Sequence, residues 1–220
     1  MKLVERSATD VFKGFLSRIQ KEVYAEADSE LHSSLIDQMV PQFAKFLPNK
    51  QVAILDVGCG QGYALLKFQG LGFENLTAIT LSTEDVQGTR KRGFVCYQMD
   101  MSFLRFEEDS FDALWVRHAL EHSPFPYLTL LEFNRILKKD GLIYLEMPMP
   151  NTPRQLESWP NHYSLFGEQM WISLYGRSGL KVVAKTRLEF QIQIGSINDG
   201  RPFMQSNMVF ILQKERRETV

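Results

Sequence analysis

Apolar residues recur at helical spacing through the first part of the chain: Val11, Phe12, Phe15, Leu16 and Ile19, then Leu31, Leu35, Ile36, Met39, Val40 and Phe43. Residues 1–50 therefore read as two or three amphipathic helices, broken near Pro41 and Pro48. From Val52 the pattern changes, and short apolar runs alternate with helical stretches. Val52–Val57, Leu76–Thr80, Phe94–Gln98, Phe111–Val116 and Leu142–Met147 read as strands. Tyr63–Gly70, Glu84–Lys91 and Tyr127–Leu137 read as helices between them, stopped by Gly70 and Gly72, by Gly93, and by Lys138-Lys139-Asp140-Gly141. Gly167–Ser178 is a further helix, and Lys181–Ile194 and Met208–Lys214 are closing strands, expected to run antiparallel. Strand, helix and strand with short connections predict right-handed crossovers and a sheet covered on both faces. The expected fold is α/β: a doubly wound, Rossmann-like, seven-stranded, mostly parallel sheet with an antiparallel C-terminal strand and N-terminal helices as cover. With no internal repeat and no long linker, residues 1–220 read as a single domain: a helical cap (1–50), a core (51–147), and a lid with closing strands (148–220).

The first strand ends in Ile54-Leu55-Asp56-Val57-Gly58-Cys59-Gly60-Gln61-Gly62. Ligands of doubly wound sheets bind at the carboxyl edge, and glycines there let a ligand lie against the backbone. The dinucleotide fingerprint is Gly-x-Gly-x-x-Gly, whereas the spacing here is Gly-x-Gly-x-Gly with an acid two residues ahead. A pyrophosphate favours a bare helix N-terminus. An acid at that place suits a ligand carrying a cationic amine or sulfonium. The competing reading is a tight strand-to-helix turn, but the flanking strand and helix favour the ligand site.

Composition narrows the partners. Of 220 residues, 44% are hydrophobic and 23% charged, enough for a sizeable core. The net charge is -1, and the basic clusters Arg90-Lys91-Arg92 and Arg216-Arg217 are short, so no nucleic-acid partner is indicated. No run reaches the roughly 18 apolar residues of a membrane span, and residues 1–15 lack the apolar core of a signal peptide. Cys59 and Cys96 lie far apart in sequence and have no partner at metal-ligand spacing; neither a disulfide framework nor a metal site is expected, and a reduced, cytoplasmic protein is the simplest reading.

The segment Met147–Tyr175 combines Pro148, Pro150, Pro153 and Pro160 with Trp159, Tyr163, Phe166, Trp171 and Tyr175. A stiff proline loop followed by aromatics suits a lid that desolvates a small-molecule acceptor, although Phe166, Trp171 and Tyr175 also fit a helix facing the core. Three of the four histidines, His118, His122 and His162, follow the fourth and fifth strands. Histidine is the side chain most easily poised for proton transfer near neutrality. His122 also reads as a packing residue, His118 as a pocket wall and His162 as a plain lid residue.

Taken in order, these segments resemble class I S-adenosylmethionine-dependent methyltransferases, in the small-molecule, type 11/23-like subgroup. Ile54–Gly62 is similar to the family's first motif. Met99-Asp100-Met101 with Phe103–Phe106 resembles the segment after the third strand, Phe111–His122 the fourth strand and its loop, and Leu137–Ile143 the turn into the fifth; the likeness covers roughly residues 50 to 182. It implies that Asp56 sits near the methionine amine, that Gly58, Gly60 and Gln61 border the methionyl group, and that Asp100 and Met101 hold the adenine. It also implies that Arg117 and His118 close the donor pocket. The family usually ends its second strand in Asp or Glu for the ribose; here stand Thr80, Leu81 and Ser82, with Asp85 just beyond, so the ribose contact lies between Thr80 and Asp85. A Thr-Leu-Ser variant also occurs in members resembling cyclopropane synthases and tocopherol methyltransferases. The implied activity is methyl transfer from S-adenosylmethionine, leaving S-adenosylhomocysteine, by in-line displacement on a small or medium-sized acceptor. His118, His162 and Tyr163 are the candidate catalytic side chains. The alternatives are a non-catalytic module that binds the same donor and a nicotinamide-dependent oxidoreductase, the latter disfavoured by glycine spacing and the missing acid. Neither the methylated atom nor the oligomeric state follows from the sequence.

Overall fold

The computed structural model describes residues 7–25, 30–193 and 201–215. The Arg216-Arg217 cluster and Ile194 lie outside the described residues. Helices α1 (Ala8–Ile19) and α2 (Glu30–Ala44) precede β1 (Ile54–Val57), α3 (Tyr63–Gly70), β2 (Leu76–Thr80), α4 (Thr83–Lys91) and β3 (Val95–Gln98). Then come β4 (Phe111–Arg117), α5 (Pro126–Ile136), β5 (Leu137–Pro148), α6 (Glu168–Arg177), β6 (Leu180–Ile192) and β7 (Phe203–Lys214). The seven strands form one sheet in the order β3-β2-β1-β4-β5-β7-β6. β1 to β5 pair in parallel, and β7 inserts antiparallel between β5 and β6. The order reverses between β1 and β4, which opens a crevice above their carboxyl ends.

Alternation along each strand divides the core. Ile54, Ala78, Ala113, Trp115 and Tyr144 face one side, with Val40 and Phe43 of α2, Leu65 and Phe68 of α3, and Val86 of α4. Leu55, Val57, Leu114, Val116 and Leu145 face the other, with Leu130 and Phe133 of α5 and Trp171 and Tyr175 of α6. Trp171, Tyr175 and Phe166 thus belong to the core packing of α6. Burying both faces explains why the parallel strands read as continuous apolar runs. Among the described residues no helix is long and apolar enough to cross a membrane.

Two punctuation signals act differently from their sequence reading. Pro41 lies inside α2 and does not end it. Its ring costs one helix hydrogen bond, but Val40 and Phe43 are wholly buried and hold that last turn on the sheet. Lys138–Gly141 does not precede the fifth strand but bulges within it: Leu137 pairs with Phe111 and Leu142 with Ala113, and Asp140 takes a left-handed φ of 61°.

Candidate active site

The first strand's glycines cross over the end of β2. The backbone amides of Gly58 and Cys59 both donate to the carbonyl of Ile79, at 2.9 and 3.2 Å. Gly58, Gly60 and Gly62 all have left-handed φ, of 72°, 47° and 81°, and Gly62 caps the start of α3. A Cβ built on Gly58 would meet Ala119 Cβ at 2.8 Å, so the loop admits no side chain there. Thr89 Oγ1 donates to Gly60 O at 3.1 Å and holds the loop against α4. The same turn brings together the two cysteines that stand far apart in sequence: Cys59 and Cys96 are free, buried thiols with sulfurs 3.8 Å apart. Burial and the hydrogen bond with Cys96 push the Cys59 thiol far up, so it stays protonated.

A cavity of about 450 Å3 opens above this edge. The sheet edge and the loops beyond it contribute Gly58, Gly60, Thr80, Leu81, Asp85, Met101, Arg117 and His118 to its wall. Asp56, Gln61 and Asp100, the other residues expected at the cofactor, are not on the cavity wall. Asp56 is buried at the strand end. Gln61 donates to Asp85 Oδ1 at 2.6 Å, and the Asp85 amide donates in turn to the Ser82 hydroxyl that caps α4. Asp100 accepts the Ser102 amide at 2.8 Å, between Met99 and Met101, which do line the cavity. Thr80 and Asp85 both reach the wall.

The opposite wall comes from elements distant in sequence. Ile19, Glu22, Val23, Tyr24 and Leu35 supply the N-terminal side, so these helices wall the cavity as well as covering the sheet. Trp159, His162 and Tyr163 supply the lid side. Trp159 stacks on His162 with ring centroids 5.6 Å apart, and Arg154 lies over the Trp159 ring at 4.7 Å. The Tyr163 hydroxyl donates to Glu22 and ties the lid to the N-terminal segment.

Beneath the cavity lies a buried polar network that the sequence reading missed. Arg117 Nε donates to Glu146 Oε2 at 3.2 Å, Tyr144 Oη to the same oxygen at 2.6 Å, and Asn207 Nδ2 to Glu146 Oε1 at 2.7 Å. His118, at a left-handed φ of 49°, places Nδ1 3.2 Å from Glu121 Oε1 and Nε2 3.3 Å from Glu146 Oε1. Burial and the Arg117 charge push the imidazole down, but hydrogen bonds to Glu121 and Glu146 outweigh them and hold His118 above its usual range. Burial alone would raise Glu146; the hydrogen bond from His118 and the Arg117 charge bring it down to about 2. Burial likewise opposes ionisation of Glu121, and His118 reverses it, leaving that carboxyl below its usual range. His118 is thus clamped between two carboxylates, which favour its protonated form, and it lines the site's wall. His162 differs: burial lowers it, and its Nδ1 lies 2.7 Å from Leu156 O, leaving a neutral ring with its lone pair on Nε2. A signal for one member was present, since Glu146 interrupts the apolar run Leu142–Met147, and a charge in a buried strand demands a partner.

The residues present fit the donor that the family resemblance implies. The loop at Gly58 leaves bare backbone on the cavity wall, and Arg117 Nη2 is buried there with no hydrogen-bond partner among the described residues. Such an atom wants an oxygen acceptor.

Residues 55–145 match the family model described as a methyltransferase domain. Over 109 residues, 44% of this chain, the sequence is 25% identical to the 27-O-demethylrifamycin SV methyltransferase of Amycolatopsis mediterranei (strain S699), across 40% of that protein. Over 103 residues, 42% of the chain, it is 28% identical to the ubiquinone biosynthesis O-methyltransferase of Glaesserella parasuis serovar 5 (strain SH0165), across 43% of that protein. The matched stretch therefore spans about two fifths of each of these relatives. A solved structure of a Bacillus halodurans C-125 protein, assigned as a methyltransferase, superposes with a TM-score of 0.70 at 16% identity, covering 80% of this chain and 99% of that one.

Proposed function

We propose that this chain, whose residues 55–145 match a methyltransferase domain, is a class I S-adenosylmethionine-dependent enzyme that methylates a hydroxyl of a small or medium-sized, largely apolar acceptor. The observation that carries this reading is a single cavity whose walls include both Gly58 and Gly60 of the donor loop and Trp159 and His162 of the lid. The name of the Glaesserella parasuis relative, a ubiquinone biosynthesis O-methyltransferase, supports oxygen as the accepting atom.

S-adenosylmethionine supplies an already activated sulfonium methyl. The protein's part is positioning and exclusion of water. Gly58 and Gly60 admit the methionyl group against their backbone, with Asp56 held just beneath. Thr80 and Asp85 take the ribose, while Met101 borders the adenine and Asp100 accepts from its amino group. Arg117, with His118 beside it, closes the end of the donor pocket. Ile19, Val23, Tyr24 and Leu35 desolvate the acceptor from one side, and Trp159 and Tyr163 from the other. A neutral hydroxyl must lose its proton as the methyl arrives, and His162, neutral and on the wall, is the proton acceptor in this scheme. Residues 1–50, 51–147 and 148–220 act together as cap, core and lid of one domain.

The test is calorimetric titration of the purified protein with S-adenosylhomocysteine, with NAD in parallel. Micromolar binding of the first and none of the second is expected. Binding of NAD alone, or of neither, overturns the reading. Binding followed by failure to methylate a panel of phenols and alcohols reassigns the protein to a donor-binding module.

A further inference from the structure

Glu121, His122 and His162 converge on one point of the cavity wall, with their potential ligand atoms all within 4.8 Å of one another. They come from places that no spacing rule would connect: two neighbours in the 3₁₀ turn after β4 and one residue of the lid. The lid backbone is fastened there, because the amides of Tyr163 and Ser164 both donate to Glu121 O, at 2.9 and 3.0 Å.

Both imidazoles are held from behind by backbone carbonyls, as ligating histidines commonly are. His122 Nδ1 lies 2.9 Å from Asn161 O, and His162 Nδ1 lies 2.7 Å from Leu156 O. A carbonyl fixes the proton on Nδ1 and leaves the lone pair on Nε2, as outer partners do for ligating imidazoles. The two rings sit 4.8 Å apart and 70° from coplanar. Glu121 is only 1% exposed. Its Oε1 is occupied by His118, while Oε2 is buried with no hydrogen-bond partner among the described residues. A carboxylate oxygen sealed from water without a donor is costly, and a cation at this point would satisfy it.

We propose that Glu121, His122 and His162 form a divalent transition-metal site of the two-histidine, one-carboxylate type, with its open position facing the cavity. Bonds of about 2.0–2.2 Å to zinc place ligand atoms about 3.3–3.5 Å apart, so the site closes by little more than 1 Å, within reach of the lid loop that carries His162. Two imidazoles select a transition ion over Mg2+ or Ca2+. In the methyltransferase reading, on which this role rests, the acceptor hydroxyl binds the open position and its pKa falls. Its O–H bond breaks with the proton passing to solvent. The freed oxygen lone pair forms the new O–C bond, and the C–S electrons return to sulfur. His162 then serves as a ligand, and the metal takes over the activation otherwise given to it as a base.

The experiment titrates chelator-treated full-length protein with Zn2+ by calorimetry and with Co2+ by absorption, and separately with S-adenosylhomocysteine. One equivalent of Zn2+ at micromolar affinity or tighter is expected, weakened at least tenfold in both His122→Ala and His162→Ala. Both variants are to melt as cooperatively as the parent and to bind S-adenosylhomocysteine unchanged. The Co2+ spectrum is to lack the thiolate charge-transfer band that binding at Cys59 and Cys96 would produce. No stoichiometric binding, binding indifferent to the two histidines, or a thiolate band overturns the site. Metal binding without S-adenosylhomocysteine binding leaves the site standing and defeats the methyltransferase reading; the reverse result defeats only the site.

Discussion

Arg117 and Glu146 stand at the same register position on neighbouring parallel strands β4 and β5, and the guanidinium donates across that step at 3.2 Å. Both are buried, at 8% and 1% exposure, so neither charge leans on water. Removing one partner of such a pair strands the other. Glu146→Gln leaves the Arg117 guanidinium facing an amide and is expected to destabilise the fold by about 3–5 kcal/mol. Urea unfolding of the variant and the parent measures it; a loss within error shows that the network contributes nothing to stability.

Acid titration reads the same carboxyl. Glu146 is held at about 2 in the folded protein against an ordinary value of 4.5. A depressed folded pKa contributes stability that is fully present above the unfolded value and lost as pH falls through the folded one. The window is thus pH 4.5 down to 2, and the contribution is about 3 kcal/mol. Glu146→Gln is expected to flatten that part of the stability profile, as followed by thermal melts from pH 6 to pH 2.

Gly58→Val is expected to abolish S-adenosylhomocysteine binding and to cost stability, since it combines a left-handed φ of 72° with a contact of 2.8 Å to Ala119 Cβ. Gly93→Ala is the matched control. It has φ of 91° but open space and lies outside the cavity wall, so it is expected to lose about 1–2 kcal/mol of stability with donor affinity unchanged. Retained affinity in Gly58→Val ends the assignment of the loop.

The core of this fold was legible because its signals are local. A strand such as Leu76–Thr80 and a helix such as Tyr63–Gly70 fall where apolar runs and glycine stops place them. Pro41 misled because tertiary burial of Val40 and Phe43 outweighs a local rule. Lys138–Gly141 misled because a bulge and a turn share the same residues. Much of the site was less accessible. Glu146 and Asn207 matter only because β7 inserts beside β5, and that pairing is a long-range event with no local mark. The meeting of Glu121 and His122 with His162 likewise depends on the lid backbone docking on the 3₁₀ turn. Gly58, Gly60 and Thr80 carry local marks of the sheet's carboxyl edge; what surrounds them does not.

Asp100→Ala is expected to weaken S-adenosylhomocysteine binding by about 1–3 kcal/mol, roughly five- to 150-fold, through loss of an acceptor for the adenine amino group. Part of the effect arises indirectly, because the same carboxylate accepts the Ser102 amide and shapes the turn between Met99 and Met101. Asp100→Asn keeps an oxygen for both and is expected to recover most of the affinity. Calorimetry on the three proteins separates the outcomes, and unchanged affinity in Asp100→Ala places the adenine elsewhere.

Trp159→Ala separates the two ends of the cavity. Trp159 stacks on His162 and carries Arg154 over its ring, and it reaches the cavity from the lid segment rather than from the glycine loop or β2. Its loss removes apolar wall from the acceptor's side and leaves the donor's contacts in place. The KM for an identified acceptor is expected to rise by about 1–2 kcal/mol, roughly five- to 30-fold, while S-adenosylhomocysteine affinity stays within about twofold. Steady-state kinetics with calorimetry on one preparation decides the matter. A parallel loss of both would mean that the lid supports the donor as well, and that the cavity works as one undivided site.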